Sequence, residues 1–323
     1  MEHHSWEEMC IDYKNDIKFL DQIDYNIPKY DINDTCYEEM YHNFFNRFGC
    51  IIIKNVYSND IMNDYDKWCD NMYEAIKSDA NINHSIQSDK ILYNNIIERM
   101  GNNNSKLLYK LLGHQKLNNI LDNLLGFSRI GSCTGHKVLK NGNRQETHVD
   151  YPIHLNASPF WKDDGGVSKL KRMITRYQLN YVLPYFSLQS LTAICDMDKN
   201  NGSTEIVPCT HLIEDIDIKL RDENFRNIIE KYFINVTLQK GDVLIFNRRL
   251  CHRGGKNYSN NDRNALITQY VWGWGVGQEE INYKPLFENL NDIEEYKLLN
   301  EKEKEMFKMR FNFKYPRDVS VQG

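Results

Sequence analysis

Residues Asp242 to Val271 read DVLIFNRRLCHRGGKNYSNNDRNALITQYV. An apolar, β-branched run (Asp242 to Phe246) leads to His252-Arg253-Gly254-Gly255. A polar turn (Asn257 to Asp262) follows, then a second apolar run (Ala265 to Val271) opened by Arg263. Short apolar runs bounded by turn residues read as strands. The spacing predicts two adjacent antiparallel strands that hold His252 and Arg263 near each other. About a hundred residues upstream stands His148-Val149-Asp150. Alternate residues of a strand share a face, so His148 and Asp150 can reach one point while Val149 turns away. A third ligand must come from a second strand, and His252 is placed to supply it. Two histidines and one carboxylate form the facial triad that holds non-haem Fe(II) and leaves coordination positions open. Arg263, eleven positions after His252, is where a forked guanidinium would grip the far carboxylate of a 2-oxoacid.

The tripeptide His148-Val149-Asp150 is weak by itself, since such pairs commonly flank surface turns. The distal histidine in a strand-Gly-Gly context, with an arginine at this offset, reverses that reading.

Composition narrows the class. The chain has 323 residues, enough for one large or two small domains, with a mild net charge of -5. No run approaches the roughly eighteen apolar residues of a membrane span. Met1 to Trp6 lacks the basic-then-apolar pattern of a secretory signal. The eight cysteines are scattered with no Cys-x-x-Cys pair, which fits neither a zinc site nor a disulfide framework and points to a reducing, cytoplasmic setting. Cys251 is read as a core-facing strand residue. Mild acidity, with no basic stripe interleaved with aromatics, argues against nucleic acid. The expected partner is a small molecule, with no role for nucleic acid or a membrane.

Residues 1–34 read as an irregular N-terminal arm lying on the body. Thr35 to Phe48 reads as a helix with Met40, Phe44, Phe45 and Phe48 on one face and Gly49 as its stop. Cys50 to Val56 is a strand, and Ser58-Asn59-Asp60 caps a helix reaching about Ile76. Residues 79–103 are polar and carry no clear pattern. Lys106 to Leu125 reads as one helix ended by Gly126. From Ile130 to about residue 275 the pattern is short strands and turns, the sign of a sandwich or barrel. Residues 35–288 are read as a single domain. Residues 289–323 are a C-terminal helix and tail, with Leu290, Ile293, Leu298 and Met306 expected to face the sheet.

These landmarks resemble the phytanoyl-CoA dioxygenase family of Fe(II)/2-oxoglutarate oxygenases over about residues 36–275. Phe48-Gly49-Cys50-Ile51-Ile52-Ile53-Lys54-Asn55-Val56 is similar to that family's opening helix-Gly-strand, and Leu117 to Gly126 to its second helical landmark. His148-Val149-Asp150 resembles the proximal iron motif. Asn200-Asn201-Gly202-Ser203 through Val207-Pro208-Cys209-Thr210-His211 resembles the Asn-Gly…Val-Pro-Gly-Ser-His turn. Gly241-Asp242-Val243 and His252 to Asn257 resemble the distal-ligand region, with Arg263 in the place of the 2-oxoglutarate arginine. The resemblance implies a mainly β fold with flanking helices: a double-stranded β-helix (jelly roll, cupin-like) core with an N-terminal helical buttress. It implies Fe(II) held by His148, Asp150 and His252. It further implies oxidative decarboxylation of 2-oxoglutarate with O2 to succinate and CO2, coupled to attack on an unactivated C–H bond.

Three departures matter. Cys209 replaces the turn glycine, which predicts a differently shaped turn. Asp150 is present where halogenating relatives lack the carboxylate, which favours hydroxylation. About 45 residues separate Asp150 from Asp196, more than the family spends there. Five basic and two acidic residues between Lys162 and Arg176 would suit an anionic substrate. Thr192 and Gln189 lie on the strand expected beside the metal, so either could hydrogen-bond the co-substrate. His136, Arg144 and His154 are weaker candidates, and His211 is read as structural. Two other readings stand beside the oxygenase. A cupin-type isomerase or oxidase would keep the triad but have no need for Arg263. A non-catalytic jelly-roll binding protein would be expected to have lost a ligand.

Overall fold

The computed structural model describes residues 17–23, 25–78, 84–87, 89–94, 96–150, 187–213, 216–272 and 284–311. Its strands are β1 (Lys29–Asp31), β2 (Cys50–Lys54), β3 (His84–Gln87), β4 (Lys90–Tyr93), β5 (Ser128–Val138), β6 (Ser187–Ala193), β7 (Thr204–Val207), β8 (Ile234–Asn235), β9 (Val243–Asn247), β10 (Cys251–Gly254) and β11 (Arg263–Trp272). The α-helices are α1 (Tyr37–His42), α2 (Asn59–Ser78), α3 (Ile96–Asn103), α4 (Ser105–Leu112), α5 (Gln115–Leu125), α6 (Ile216–Lys219), α7 (Glu223–Ile229), α8 (Lys284–Asn289), α9 (Glu294–Lys297) and α10 (Glu301–Phe311).

Eight strands form one sheet in the order β1-β2-β9-β6-β11-β5-β4-β3, antiparallel except for the β1–β2 edge. Three form a second sheet in the order β10-β7-β8. The two-residue period of the strands sorts side chains between two cores. On one face of the large sheet, Ile51, Ile53, Val243, Ile245, Leu188, Leu266 and Tyr270 pack with helical Met62, Tyr65, Leu108, Ile120 and Leu121. On the other, Cys50, Ile52, Leu244, Phe246, Leu191 and Ala265 meet Ile206 of the small sheet together with Val236 and Leu238. A third cluster covers the outside of the small sheet, where Val207 and Cys251 pack with Phe225 and Ile229. Cys251 is thus a core residue, as its strand position implies.

Helix α2 buries Met62, Tyr65, Cys69 and Ile76, a spacing that keeps one stripe inward. Gly49 turns the chain from helix to strand with φ +76°, and a Cβ there would collide with the His211 ring and lie 2.8 Å from Leu250 Cδ1.

Several elements differ from the sequence reading. The expected arm contributes β1, which pairs with β2 and buries Tyr30. The helix over 35–48 is a short α1 continued by a wider π turn at Asn43–Arg47. The helix over 106–125 is two, because Gly113 ends α4 and the His114 ring accepts the Leu117 N–H at 3.2 Å to start α5. Residues 79–103 contain the β3–β4 hairpin and α3. In the C-terminal region Leu298 and Met306 are exposed, and Tyr296, Phe307, Arg310 and Phe311 are buried instead. Among the described residues no helix is long and apolar enough to cross a membrane.

Candidate metal centre and its cavity

His148 and His252 come from opposite directions of the chain and pair through their backbones. His148 N donates to His252 O at 3.1 Å, and His252 N to His148 O at 3.0 Å. Two residues on, Asp150 N donates to Arg248 O at 2.9 Å. The 148–150 segment is therefore extended along β10 without being a full strand. It presents His148 and Asp150 on one side, while Val149 packs into the outer cluster.

The three side chains converge. Asp150 Oδ2 lies 3.4 Å from His252 Nε2, Asp150 Oδ1 lies 3.9 Å from His148 Nε2, and all three ligand atoms fall within 4.8 Å of one another. That is close to the roughly 3 Å edge between neighbouring ligands each about 2.1 Å from one metal. Each imidazole Nδ1 faces a backbone carbonyl two residues before it: Glu146 O at 2.8 Å for His148, Leu250 O at 2.9 Å for His252. Donation from Nδ1 leaves Nε2 as the lone pair and fixes the ring, the usual outer-shell arrangement of metal histidines. Burial lowers the His148 pKa to about 4, with His252 adding to the effect, so this ring is neutral near pH 7. Burial opposes ionisation of Asp150, but His252, Arg248 and His148 outweigh it and hold the carboxyl below the usual range. Two imidazoles and one carboxylate suit a divalent transition metal.

The cavity around this triad has a volume of about 280 Å³. Its wall on the large sheet is one alternating set: Lys90, Leu92, His136, Thr134, Ser132, Arg263, Ala265, Ile267, Gln189, Leu191 and Phe246. Arg263 donates from Nε to Asn201 O at 2.9 Å and from Nη2 to Gly202 O at 2.8 Å, while Nη1 meets only Met197 Sδ at 3.3 Å. The Asn-Gly turn thus orients this arginine with neutral acceptors. Burial lowers its pKa to about 10, so it stays charged at neutral pH, with no carboxylate partner among the described residues. Lys90 Nζ donates to Gln145 Oε1 at 2.8 Å, and burial, with Arg263 adding to it, lowers its pKa to about 7. His136 is held neutral by burial, with Lys90 and Arg263 reinforcing the effect.

The structure brings His148, Asp150, His252, Arg263 and Gln189 to one cavity, and the Gln189 Oε1 has no hydrogen-bond partner. It does not bring Thr192, which pairs with Leu266 and Val243 and shares their face, towards the helices. One residue of register separates it from the cavity. His252 and Arg263 are not on adjacent strands: β10 belongs to the small sheet and β11 to the large one, and the two side chains face each other's sheet across the cavity. Arg144 pairs with Glu205 at 3.1 Å. His211 is buried with Nε2 3.1 Å from Phe45 O, a structural role. Cys209 sits at φ 68°, so the turn keeps the left-handed conformation a glycine would take, correcting the expectation of a new shape. His154 and residues 151–186 of the long segment before Asp196 lie outside the described residues.

Two cavity cations escaped the sequence reading, Lys90 and Arg248. Arg248 had a signal, being half of an Arg-Arg pair inside the buried run from Val243 to Cys251.

A two-layer β protein with flanking helices and a two-histidine, one-carboxylate cavity between its sheets defines the class. The chain belongs to the phytanoyl-CoA dioxygenase (PhyH) family, whose pattern matches residues 45–265. Among solved structures it is similar to HygX from Streptomyces hygroscopicus, crystallised with nickel and 2-oxoglutarate, at 14% identity and TM-score 0.53 over 75% of this chain and 89% of that one. It is likewise similar to SnoN, a non-haem α-ketoglutarate-dependent epimerase of nogalamycin biosynthesis, at 16% identity and TM-score 0.52 over 73% and 83%. SnoK, a carbocyclase of the same pathway, gives 17% identity and TM-score 0.52 over 74% and 87%. No curated protein matches the chain by sequence.

Proposed function

We propose that this protein is an Fe(II)/2-oxoglutarate-dependent dioxygenase that hydroxylates an unactivated C–H bond of a small, anionic substrate, and that its two sheets form a double-stranded β-helix. The observation that carries the reading is the pairing of the triad with Arg263, a buried, charged, carboxylate-free guanidinium on the opposite wall of the same cavity. A cupin-type isomerase would have no use for that buried charge. The family and the metal- and 2-oxoglutarate-binding structural neighbours support the co-substrate.

The chain's own groups have definable tasks. His148 and His252 offer Nε2 because their Nδ1 protons are committed to backbone carbonyls. Asp150 completes three ligands, so no ligand position is vacated for halide. Arg263 takes the distal carboxylate, oriented by Asn201 O and Gly202 O, and Gln189 Oε1 is left to accept a hydrogen bond. Phe246 packs against the His252 ring at 5.0 Å between centroids and limits access on that side. When bound, 2-oxoglutarate supplies two electrons for O2 reduction by its decarboxylation to succinate and CO2.

Anaerobic titration of the Fe(II)-loaded protein with 2-oxoglutarate tests this through the weak visible charge-transfer band of the chelate. The band should appear in the wild type and be absent in His252→Ala. Arg263→Ala should raise the 2-oxoglutarate Kd by about tenfold or more, the scale of a charge-assisted hydrogen bond. Unchanged 2-oxoglutarate affinity in Arg263→Ala would remove the clamp assignment.

A further inference from the structure

Asn247 to Leu250 form a tight turn between β9 and β10. Leu250 N donates to Asn247 O at 2.9 Å, Arg249 N to Asn247 Oδ1 at 2.9 Å, and Asn247 N to Gly49 O at 2.8 Å. The turn is fixed, and it divides its two arginines. Arg249 points away, its Nη2 donating to Ile213 O at 3.0 Å. Arg248 enters the metal cavity. It is 2% exposed, yet among the described residues its Nε and Nη1 have no hydrogen-bond partner and it forms no ion pair. Among the described residues the one carboxylate that acts on it is Asp150.

A buried guanidinium without acceptors is costly, because burial removes its hydration and nothing replaces it. The rest of the cavity makes the imbalance plain. Arg253 is matched by Glu205 at 2.6 Å and Glu230 at 2.7 Å. Arg263 and Lys90 have neutral acceptors and face the co-substrate side. Among the described residues Asp150 is the one carboxylate in the wall, and a metal would claim it. The two carboxylates of 2-oxoglutarate would be used by the metal and Arg263. Arg248 would still lack a counter-ion.

We infer that Arg248 is the anchor for an oxyanion, carboxylate or phosphate, on the primary substrate. The inference rests on the proposed oxygenase reading and deepens it by naming the group that identifies the substrate. The forked donors of arginine suit either anion bidentately. The turn sets that fork beside Asp150, so the anchored substrate would lie next to the metal rather than at the mouth.

The test uses the Fe(II)-loaded protein saturated with 2-oxoglutarate, without oxygen. It is titrated in turn with hexanoate, hexyl phosphate and uncharged hexanamide, following the charge-transfer band. One of the two anions should shift the band at least tenfold more tightly than hexanamide, and which one does so distinguishes carboxylate from phosphate. R248Q should weaken that anion by roughly tenfold or more and R248K should recover only part of it, because a point charge cannot make the fork. R248Q should bind 2-oxoglutarate within about threefold of wild type, and the metal-loaded variant should keep or raise its Tm, as loss of an unpaired buried charge allows. Three binding results would overturn the inference. They are equal affinity for anions and hexanamide, loss rather than shift of the band on adding anion, or a 2-oxoglutarate defect in R248Q matching that of Arg263→Ala. A large fall in Tm for R248Q would instead make the residue structural, which also overturns it. If the wild type gives no band at all, the oxygenase reading fails. Calorimetry of the same anions on the metal-loaded protein without 2-oxoglutarate then still decides Arg248.

Discussion

Lys90 carries a consequence of burial that can be measured without any ligand. Its ammonium has one neutral acceptor, Gln145 Oε1, and its pKa is lowered by burial first and by Arg263 second, from 10.5 to about 7. Below pH 7 both folded and unfolded chains hold the proton, and the folded state bears the full cost of a buried cation. Between pH 7 and 10.5 only the unfolded chain holds it, so stability rises with pH across that window. Lys90→Met should therefore stabilise the metal-free protein at pH 6 by about 2–4 kcal/mol, with the gain fading towards pH 10. Urea unfolding at the two pH values checks this. A gain equal at both would mean that the Lys90 ammonium does not titrate in this range. The same single-residue scale explains why the sequence hid Lys90. It stands in Lys90-Ile91-Leu92-Tyr93, where a terminal strand lysine is ordinarily solvated, and only the register with Val138 and Arg263 turns it inward.

At the level of elements, the helices owe their places to contacts far apart in sequence. Helix α10 has a weakly amphipathic sequence, and its docking depends on Arg310. That guanidinium donates to both Asp122 oxygens at 2.8 and 2.5 Å, and to Ser128 O at 3.0 Å and Ser128 Oγ at 2.7 Å. It joins the end of α5 and the start of β5 to the C-terminal helix. Arg310→Ala would leave the Asp122 carboxylate without its partner and should cost about 2–4 kcal/mol in global stability. Guanidinium unfolding read by circular dichroism measures that loss, and Arg310→Lys should recover only part of it because a point charge cannot make the fork. A loss under about 0.5 kcal/mol would show the pair to be no better than a surface bridge. This docking also explains the misplaced face: the apolar period of residues 289–312 selects Leu298 and Met306, whereas the ion pair rotates α10 to bury Phe307 and Phe311. Helix α2 was legible because Met62, Tyr65 and Cys69 repeat at helical spacing. The split at Gly113–His114 was not, because a histidine cap is invisible to hydrophobic period.

For the whole molecule, the triad was legible because metal ligation demands particular side chains at a fixed spacing, and His148, Asp150 and His252 meet that demand in any fold that brings them together. The partnership of sheets was not, since β5 pairs with β11 and β10 with β7 across long stretches of chain, and local pattern cannot select among such pairings. The metal is predicted to join these distant parts. A ligand that binds only the folded state stabilises by about 2.7 kcal/mol at a hundred times its Kd, which for a chain of this size is a Tm rise of roughly 4–8 °C. Anaerobic Fe(II), or Ni(II) as a redox-inert substitute, should produce that rise in the wild type. His148→Ala should abolish it while changing the metal-free Tm little, because that side chain is 39% exposed. Asp150→Ala should abolish it and also lower the metal-free Tm, because it strips Arg248 of the carboxylate beside it. Arg263→Ala should keep the metal increment and lose only the further rise given by 2-oxoglutarate. Differential scanning calorimetry of the four proteins separates these outcomes. A metal-dependent rise that survives in both His148→Ala and Asp150→Ala would place the metal elsewhere and dissolve the link between the 148–150 segment and β10 on which the reading of this cavity depends.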